Sequence, residues 1–253
     1  MESIEEVKTL IGKAKRVCVL TGAGVSAESG IATFRGYSEE AGESLWSQYD
    51  PQQLASIEGF LREPEMVWRW YQWRRQVNQD KQPNPAHTAI ANWQKAAKNS
   101  GQQEVSLITQ NVDGLHQKAG SDPDQFSVIE IHGNIWQNHC LGCDKPYLED
   151  VTGIQTVPTC QSCGGQIRPS VVWFGEALDE TKWQVAETAA YCCDLFLSIG
   201  TSSQVYPAAG LMMLAKSQGA KVVEVNPEPT QSRVVDYQIR GKAGEILPKL
   251  IDY

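Results

Sequence analysis

Apolar residues recur at helical spacing from the start of the chain. Ile4, Val7, Leu10, Ile11 and Ala14 share one face, so the first dozen residues predict an amphipathic helix. The pattern then changes to a continuous apolar run, Val17–Leu20, which predicts a buried strand ending at Thr21 and a glycine turn at Gly22. Similar short runs at Val105–Ile108, Val128–Ile131, Asp194–Ile199 and Lys221–Val225 predict further strands, and Val171–Phe174 predicts one at an edge or crossover. Pro64 stands where a first-turn proline belongs, with a helix expected to about Asn78. Further helices are expected over Ala86–Ala97, Ala208–Lys216 and Gly244–Ile251, the last despite Pro248. Residues 36–60, broken by Gly36, Gly42 and Pro51, predict irregular chain. Strands alternating with helices imply βαβ units and a parallel sheet. Residues 137–168 differ: Cys, Gly and Pro are frequent and periodicity is lost, as in an inserted module.

The 253 residues suit one large domain, or one domain with a smaller insert, and 41% apolar residues suffice for a sizeable core. No run approaches the roughly 18 apolar residues of a membrane span, and the acidic, amphipathic MESIEEVKTL does not look like a signal peptide. A monomeric cytoplasmic protein without a membrane partner is expected. The net charge of −8 and the absence of a basic stripe argue against nucleic acid. The nearest candidate, Arg62 to Arg75, also carries Glu63 and Glu65 and reads as a mixed-charge helix.

Candidate chemistry begins with the cysteines. Cys140-x-x-Cys143, sixteen residues, then Cys160-x-x-Cys163 is zinc-ligand spacing, with Gly142 and Gly164-Gly165 allowing tight knuckles. Four thiolates leave no position for water, so the ion is expected to be structural. A pair of redox dithiols is the alternative, and His139 is read as a bystander. Cys18, Cys192 and Cys193 read as free buried thiols. Gly22-Ala23-Gly24-Val25-Ser26-Ala27 fits G-x-G-x-x-A directly after a strand, where backbone N–H groups and a following helix N-terminus favour a diphosphate. A tight turn that binds nothing would look the same. A dehydrogenase would also place an acid on a second strand about twenty residues on; that position falls around Glu40–Glu43 with no strand in view, so the cofactor is expected to bind differently. Thr109 to His116 and Glu130-Ile131-His132-Gly133-Asn134 put polar side chains at the ends of two strands, where ligands sit in open α/β sheets.

Together these segments resemble the sirtuin family, in its subgroup of desuccinylases and demalonylases. The matches run from Gly22 to Ile31 (including Glu28), then Thr33-Phe34-Arg35, Gln110-Asn111-Val112-Asp113, His132-Gly133, the four cysteines, Val172-Trp173-Phe174-Gly175-Glu176, Gly200-Thr201-Ser202 and Asn226-Pro227. The resemblance implies a doubly wound, mostly parallel Rossmann-like domain (1–35, 86–136 and 169–253), a cofactor loop with a small helical module (36–85) and an inserted zinc-ribbon module (137–168). It implies NAD as co-substrate and one structural zinc. Gly22, Ala23, Gly24, Ser26, Ala27, Glu28, Ile31, Thr33, Phe34 and Arg35 would border NAD. Gln110, Asn111, Val112 and Asp113 would meet the nicotinamide ribose and carboxamide. Gly200, Thr201 and Ser202 would hold the phosphates, with Asn226, Pro227, Glu228 and Ala243 on the adenosine side. The acyl-lysine peptide would add to Val172–Glu176 as a further strand. The acyl oxygen would attack C1′ as nicotinamide leaves, and His132, assisted by Asn111, would act as general base on the ribose hydroxyls. The products would be free lysine and 2′-O-acyl-ADP-ribose.

Tyr71 and Arg74 match the Tyr-x-x-Arg of that subgroup, and Ala55 matches its small residue. A carboxylate in a dry tunnel needs a bidentate cation and a hydroxyl donor, so this resemblance implies a preference for succinyl, malonyl or glutaryl over acetyl, with some deacetylation retained. Mono-ADP-ribosyl transfer and a non-catalytic NAD or ADP-ribose sensor are the alternatives. Val172–Glu176 argues against the first, and His132 with Asn111 against the second.

Overall fold

The structure is a computed structural model that describes residues 4–31, 50–228, 230 and 232–251. The chain runs α1 (Ile4–Lys13), β1 (Arg16–Thr21), α2 (Pro51–Leu54), α3 (Ile57–Arg62), α4 (Pro64–Asn78), α5 (Pro85–Ser100), β2 (Glu104–Thr109), α6 (Leu115–Lys118) and β3 (Val128–Glu130). It continues through β4 (Gly133–Cys140), β5 (Pro146–Tyr147), β6 (Ile167–Val171), α7 (Glu180–Cys192), β7 (Leu195–Ile199), α8 (Ala208–Ser217), β8 (Lys221–Asn226), β9 (Tyr237–Arg240) and α9 (Ala243–Leu250).

The main sheet has the order β3-β2-β1-β7-β8-β9, every neighbour pair parallel. Both faces are covered, which is why its strands read as unbroken apolar runs. Successive side chains point to opposite faces. Val17, Val19, Leu195 and Leu197 pack in one core with α1, α5 and α9. Cys18, Leu20, Phe196 and Val222 pack in the other with Ala186 and Ala190 of α7 and Leu211 and Met212 of α8. The strand order reverses between β1 and β7, the switch point where open α/β sheets leave a crevice. Among the described residues no helix is long and apolar enough to cross a membrane.

Helix ends follow local chemistry. In α5 the Asn84 side chain accepts from Ala86 N and His87 Nδ1 accepts from Asn84 N, a reciprocal cap. Gly101 closes the helix at φ +63. Residues 50–60 correct the expectation of irregular chain: α2 and the start of α3 lie there, and Ser56 Oγ caps α3 by accepting from Gly59 N. Strand β9 was not apparent because at the sheet edge only Ile239 is buried, so no apolar run forms.

A second, antiparallel sheet has the order β5-β4-β6, with a bulge between Asn134 and Asn138 that breaks the alternation in β4. Helix α4 joins it to the rest. Trp68 packs with Cys140, Val151, Cys160 and Ile167, and its indole donates to Ile154 O. Val67, Trp70 and Tyr71 pack with Leu54, Ala55, Phe60, Ile135, Val171 and Trp173. The mixed-charge helix is mostly interior, and Arg74 and Arg75 are both buried. Arg75 donates to Ile135 O and Asn138 Oδ1, and burial lowers its pKa to about 10, so it remains charged at neutral pH.

Candidate functional site

The glycine turn lies at the switch point. Gly22 N donates to Ile199 O at 3.1 Å, and Gly24 N donates to Gly200 O at 2.8 Å. A Cβ on Gly24 would stand 2.8 Å from Gly200 O, and one on Gly200, whose φ is +60, would stand 2.4 Å from Val25 N. These glycines are thus required by the approach of two strand ends. The turn does not lead into an α-helix, which corrects the expected helix N-terminus: two 3-10 turns, Ala23–Val25 and Ala27–Ser29, follow, and Gly30 closes the second at φ +72.

Behind this turn lies a buried polar chain. Asn111 Nδ2 donates to Gly22 O and to Ser26 Oγ, both at 3.1 Å. Ser26 Oγ donates to Asp113 Oδ2 at 2.7 Å, and Leu115 N donates to Asp113 Oδ1. Burial pushes the Asp113 carboxyl up, while Leu115 N, the Ser26 hydroxyl and the Arg74 charge pull it back. His87 Nε2 lies 3.3 Å from Ser26 Oγ. Its Nδ1 accepts from Asn84, so Nε2 carries the proton and donates to the serine. His116 Nε2 meets Thr21 Oγ1, which donates to Thr109 Oγ1, which in turn accepts from Asn111 N. Burial lowers His87 to about 4, and burial together with His87 holds His116 well below its ordinary value, so both are neutral at physiological pH. Sequence reasoning missed His87 and Thr21, and it marked the Thr109–His116 segment as polar strand-end chain without assigning Thr109 or His116 to this network. The signal for His87 was Asn84-Pro-Ala-His, a capping pattern.

His132, just beyond β3, has Nδ1 3.1 Å from Gln110 O. A carbonyl only accepts, so Nδ1 bears the proton and Nε2 keeps its lone pair. Burial pushes its pKa below the usual imidazole value, and the Gln110 carbonyl partly offsets that. Gln110 Nε2 donates to Thr201 Oγ1 at 3.0 Å, and Asn226 Nδ2 donates to Thr201 O at 2.9 Å. The ends of β2, β7 and β8 are thereby tied together, with His132 at one end of the chain. Glu28 accepts from Gly244 N at 2.7 Å, which joins the glycine turn to the first turn of α9, where Ala243 is buried. Ile31 is buried, Val112 packs at the edge of the Tyr71 cluster, and Ala27, Ser202, Pro227 and Glu228 are exposed. Thr33, Phe34, Arg35 and the Glu40–Glu43 position lie outside the described residues.

The Val171–Phe174 strand is corrected. Strand β6 ends at Val171, and a turn follows in which Gly175 has φ +86. Val172 N donates to His132 O, Trp173 N to Glu176 Oε2 and Phe174 N to Ala55 O, so those amides are already engaged. Arg168 holds Glu176 through both carboxylate oxygens. Phe174 is 48% exposed beside this turn. Ala55 and Tyr71 share one buried cluster, and the Arg74 guanidinium lies 4.8 Å from the Trp70 ring centroid and 5.3 Å from that of Tyr71.

The Sγ atoms of Cys140, Cys143, Cys160 and Cys163 lie within 4.8 Å of one another, the closest pairs at 3.4 and 3.8 Å. A tetrahedral zinc with Zn–S near 2.3 Å sets sulfurs about 3.8 Å apart, so the cluster fits that ion. Gly142 N and Gly165 N donate to Cys140 Sγ and Cys163 Sγ. His139 turns to Ser170 Oγ and Asp144, consistent with a bystander.

A parallel α/β sheet with a glycine turn packed against a second strand end at its switch point, an imidazole at the neighbouring strand end and a four-cysteine module defines a class of two-module folds in which nucleotides bind at the switch point. The Sir2 family model matches residues 22–207. NAD-dependent protein deacylase 2 of Pyrobaculum aerophilum is 44% identical over 247 residues, covering 97% of this chain and 94% of that protein. The NAD-dependent protein deacylase of Mycobacterium tuberculosis is 45% identical over 243 residues, covering 94% and 97%. Among solved structures, a Sir2 homologue in complex with NAD superposes with a TM-score of 0.86 at 40% identity, covering 99% of this chain and 93% of that one. The chain belongs to the Sir2 family, the sirtuins.

Proposed function

We propose that this chain removes acyl groups from protein lysines with NAD as co-substrate, and that it favours acyl groups ending in a carboxylate. The first part draws on family membership and on one observation: the imidazole of His132, fixed through Nδ1–H on Gln110 O, keeps Nε2 as a base beside the crevice. NAD, when bound, supplies a C1′–nicotinamide bond whose cleavage leaves an ADP-ribosyl acceptor for the acyl group. Gln110, Asn111 and Asp113 orient the ribose and carboxamide, Gly200 to Ser202 and Asn226 hold the phosphate and adenosine side, and His132 takes the hydroxyl proton. The four cysteines hold zinc as a structural ion. The net charge of −8 fits a protein partner better than nucleic acid.

The second part draws on Arg74, 6% exposed beside Tyr71 and in the same region as Ala55. A guanidinium kept from water favours an anion, and its planar fork suits a carboxylate. An acetyl chain gains nothing from it. The test is kcat/KM on matched succinyl- and acetyl-lysine peptides. Arg74→Met is expected to lower the succinyl-to-acetyl ratio by at least about tenfold, the scale of a charge-assisted hydrogen bond. An unchanged ratio removes Arg74 from this role.

A further inference from the structure

Trp173 lies in the Val172–Glu176 segment, but its side chain faces inward. It is 2% exposed, and its Nε1 donates to the Tyr71 hydroxyl oxygen at 2.8 Å. The ring is held on several sides. The Arg168 guanidinium carbon sits 3.5 Å from its centroid, the Phe60 ring 5.1 Å away, and the Glu176 carboxylate that pairs with Arg168 also accepts from Trp173 N. The indole is therefore a fixed object aimed at one atom of Tyr71.

An indole N–H only donates, whereas a phenol can donate or accept. A Tyr71 oxygen that receives the indole proton must turn its own proton away from Trp173. A carboxylate can only accept, so a hydroxyl constrained to donate suits it, and a freely rotating one would spend part of its time presenting lone pairs. We propose that Trp173 is the positioning residue that turns the Tyr71 hydroxyl proton away from the indole, so that Tyr71 presents a donor on its other side, and is thereby a determinant of the preference for acyl chains ending in a carboxylate. This rests on the acyl preference proposed above. Arg168 and Glu176 belong to the same device, because they fix the indole.

The test is a double-mutant cycle read as the succinyl-to-acetyl ratio of kcat/KM, using matched peptides with NAD on the full chain. A ratio taken on one preparation cancels any difference in the fraction of folded enzyme. Trp173→Phe removes the donor and is expected to lower the ratio about fivefold, the worth of one hydrogen bond. Tyr71→Phe is expected to lower it by at least as much, and adding Trp173→Phe to Tyr71→Phe to lower it no further. Replacing Trp173 with β-(3-benzothienyl)alanine, which keeps the ring shape and lacks the N–H, is expected to match Trp173→Phe and serves if that variant does not fold. The proposal is overturned if either Trp173 variant keeps the wild-type ratio, or if Trp173→Phe costs the same with and without the Tyr71 hydroxyl. Should the wild type show no succinyl preference and Arg74→Met change nothing, the acyl preference itself fails and this proposal with it. A preference that is lost in Arg74→Met but kept in the Trp173 variants overturns this proposal alone.

Discussion

Gly200→Ala probes the crevice where the glycine turn meets the end of β7. The added Cβ would stand 2.4 Å from Val25 N and 2.7 Å from Gly24 C, both backbone atoms that cannot rotate away. Ordinary contact begins near 3.4 Å, so the two strand ends must part by about 1 Å. At φ +60 a side chain costs about 1–2 kcal/mol. Weakening the 2.8 Å bond from Gly24 N to Gly200 O adds about 1 kcal/mol. The sum, roughly 2–3 kcal/mol, corresponds to a fall in Tm of roughly 4–12 °C for a chain of this size. If the parted loops hold NAD, a misplacement of about 1 Å lowers kcat/KM for NAD by about 10²-fold. The assays are calorimetric melting and peptide-dependent nicotinamide release at varied NAD. Gly210→Ala, in the first turn of α8 with nothing within 4 Å of the new methyl, is the control and is expected to be neutral or slightly stabilising. A Gly200→Ala enzyme with the wild-type Tm and wild-type kcat/KM for NAD would refute the claim that close approach of these loops shapes the crevice.

Two further outcomes follow from the site. His132 must be neutral to act as a base, and burial lowers its pKa, so kcat/KM should be flat at neutral pH and fall only below about pH 6.5, the ordinary imidazole value; His132→Ala should abolish that limb and lower turnover about 10²-fold, and an acid limb that persists in this variant would assign it to another group. Colorimetric metal assay should find one zinc per chain, and its removal should melt the small sheet and change the emission of Trp68, which packs on Cys140 and Cys160; a Cys160→Ser variant with the wild-type Tm and fluorescence would contradict a structural ion.

What could be read from the sequence was what is local or strictly periodic. The buried parallel strands announce themselves as Val17–Leu20 or Leu195–Ile199 because both faces of the sheet are covered. The cysteine pairs could be read because a tetrahedral ion fixes their spacing. The turn at Trp173–Glu176 could not, because it exists through Arg168 holding Glu176 and Ala55 receiving Phe174 N, contacts set by distant chain. Strand β4 was hidden by its bulge, and β9 by its edge position. Arg75 read only as part of a mixed-charge helix, since nothing in a helical repeat reveals that Ile135 and Asn138 of β4 will close over it.

The polar chain at the strand ends also shows why the site must be considered as one body. His132 rests on Gln110, Gln110 on Thr201, and Thr201 on Asn226, while Asn111 rests on Gly22 and Ser26, and Ser26 on Asp113 and His87. Each link uses a donor or acceptor that water would otherwise occupy, in a largely buried region where leaving such a group unpaired is costly. Burial keeps His87 and His116 neutral, so the network carries little net charge of its own, and the charges that matter are those of Asp113 and Arg74 on the side facing the Tyr71 cluster. The His132 imidazole gains its orientation from a backbone carbonyl rather than from a carboxylate partner. That arrangement leaves its pKa low and its lone pair available, which suits proton removal from a sugar hydroxyl at neutral pH.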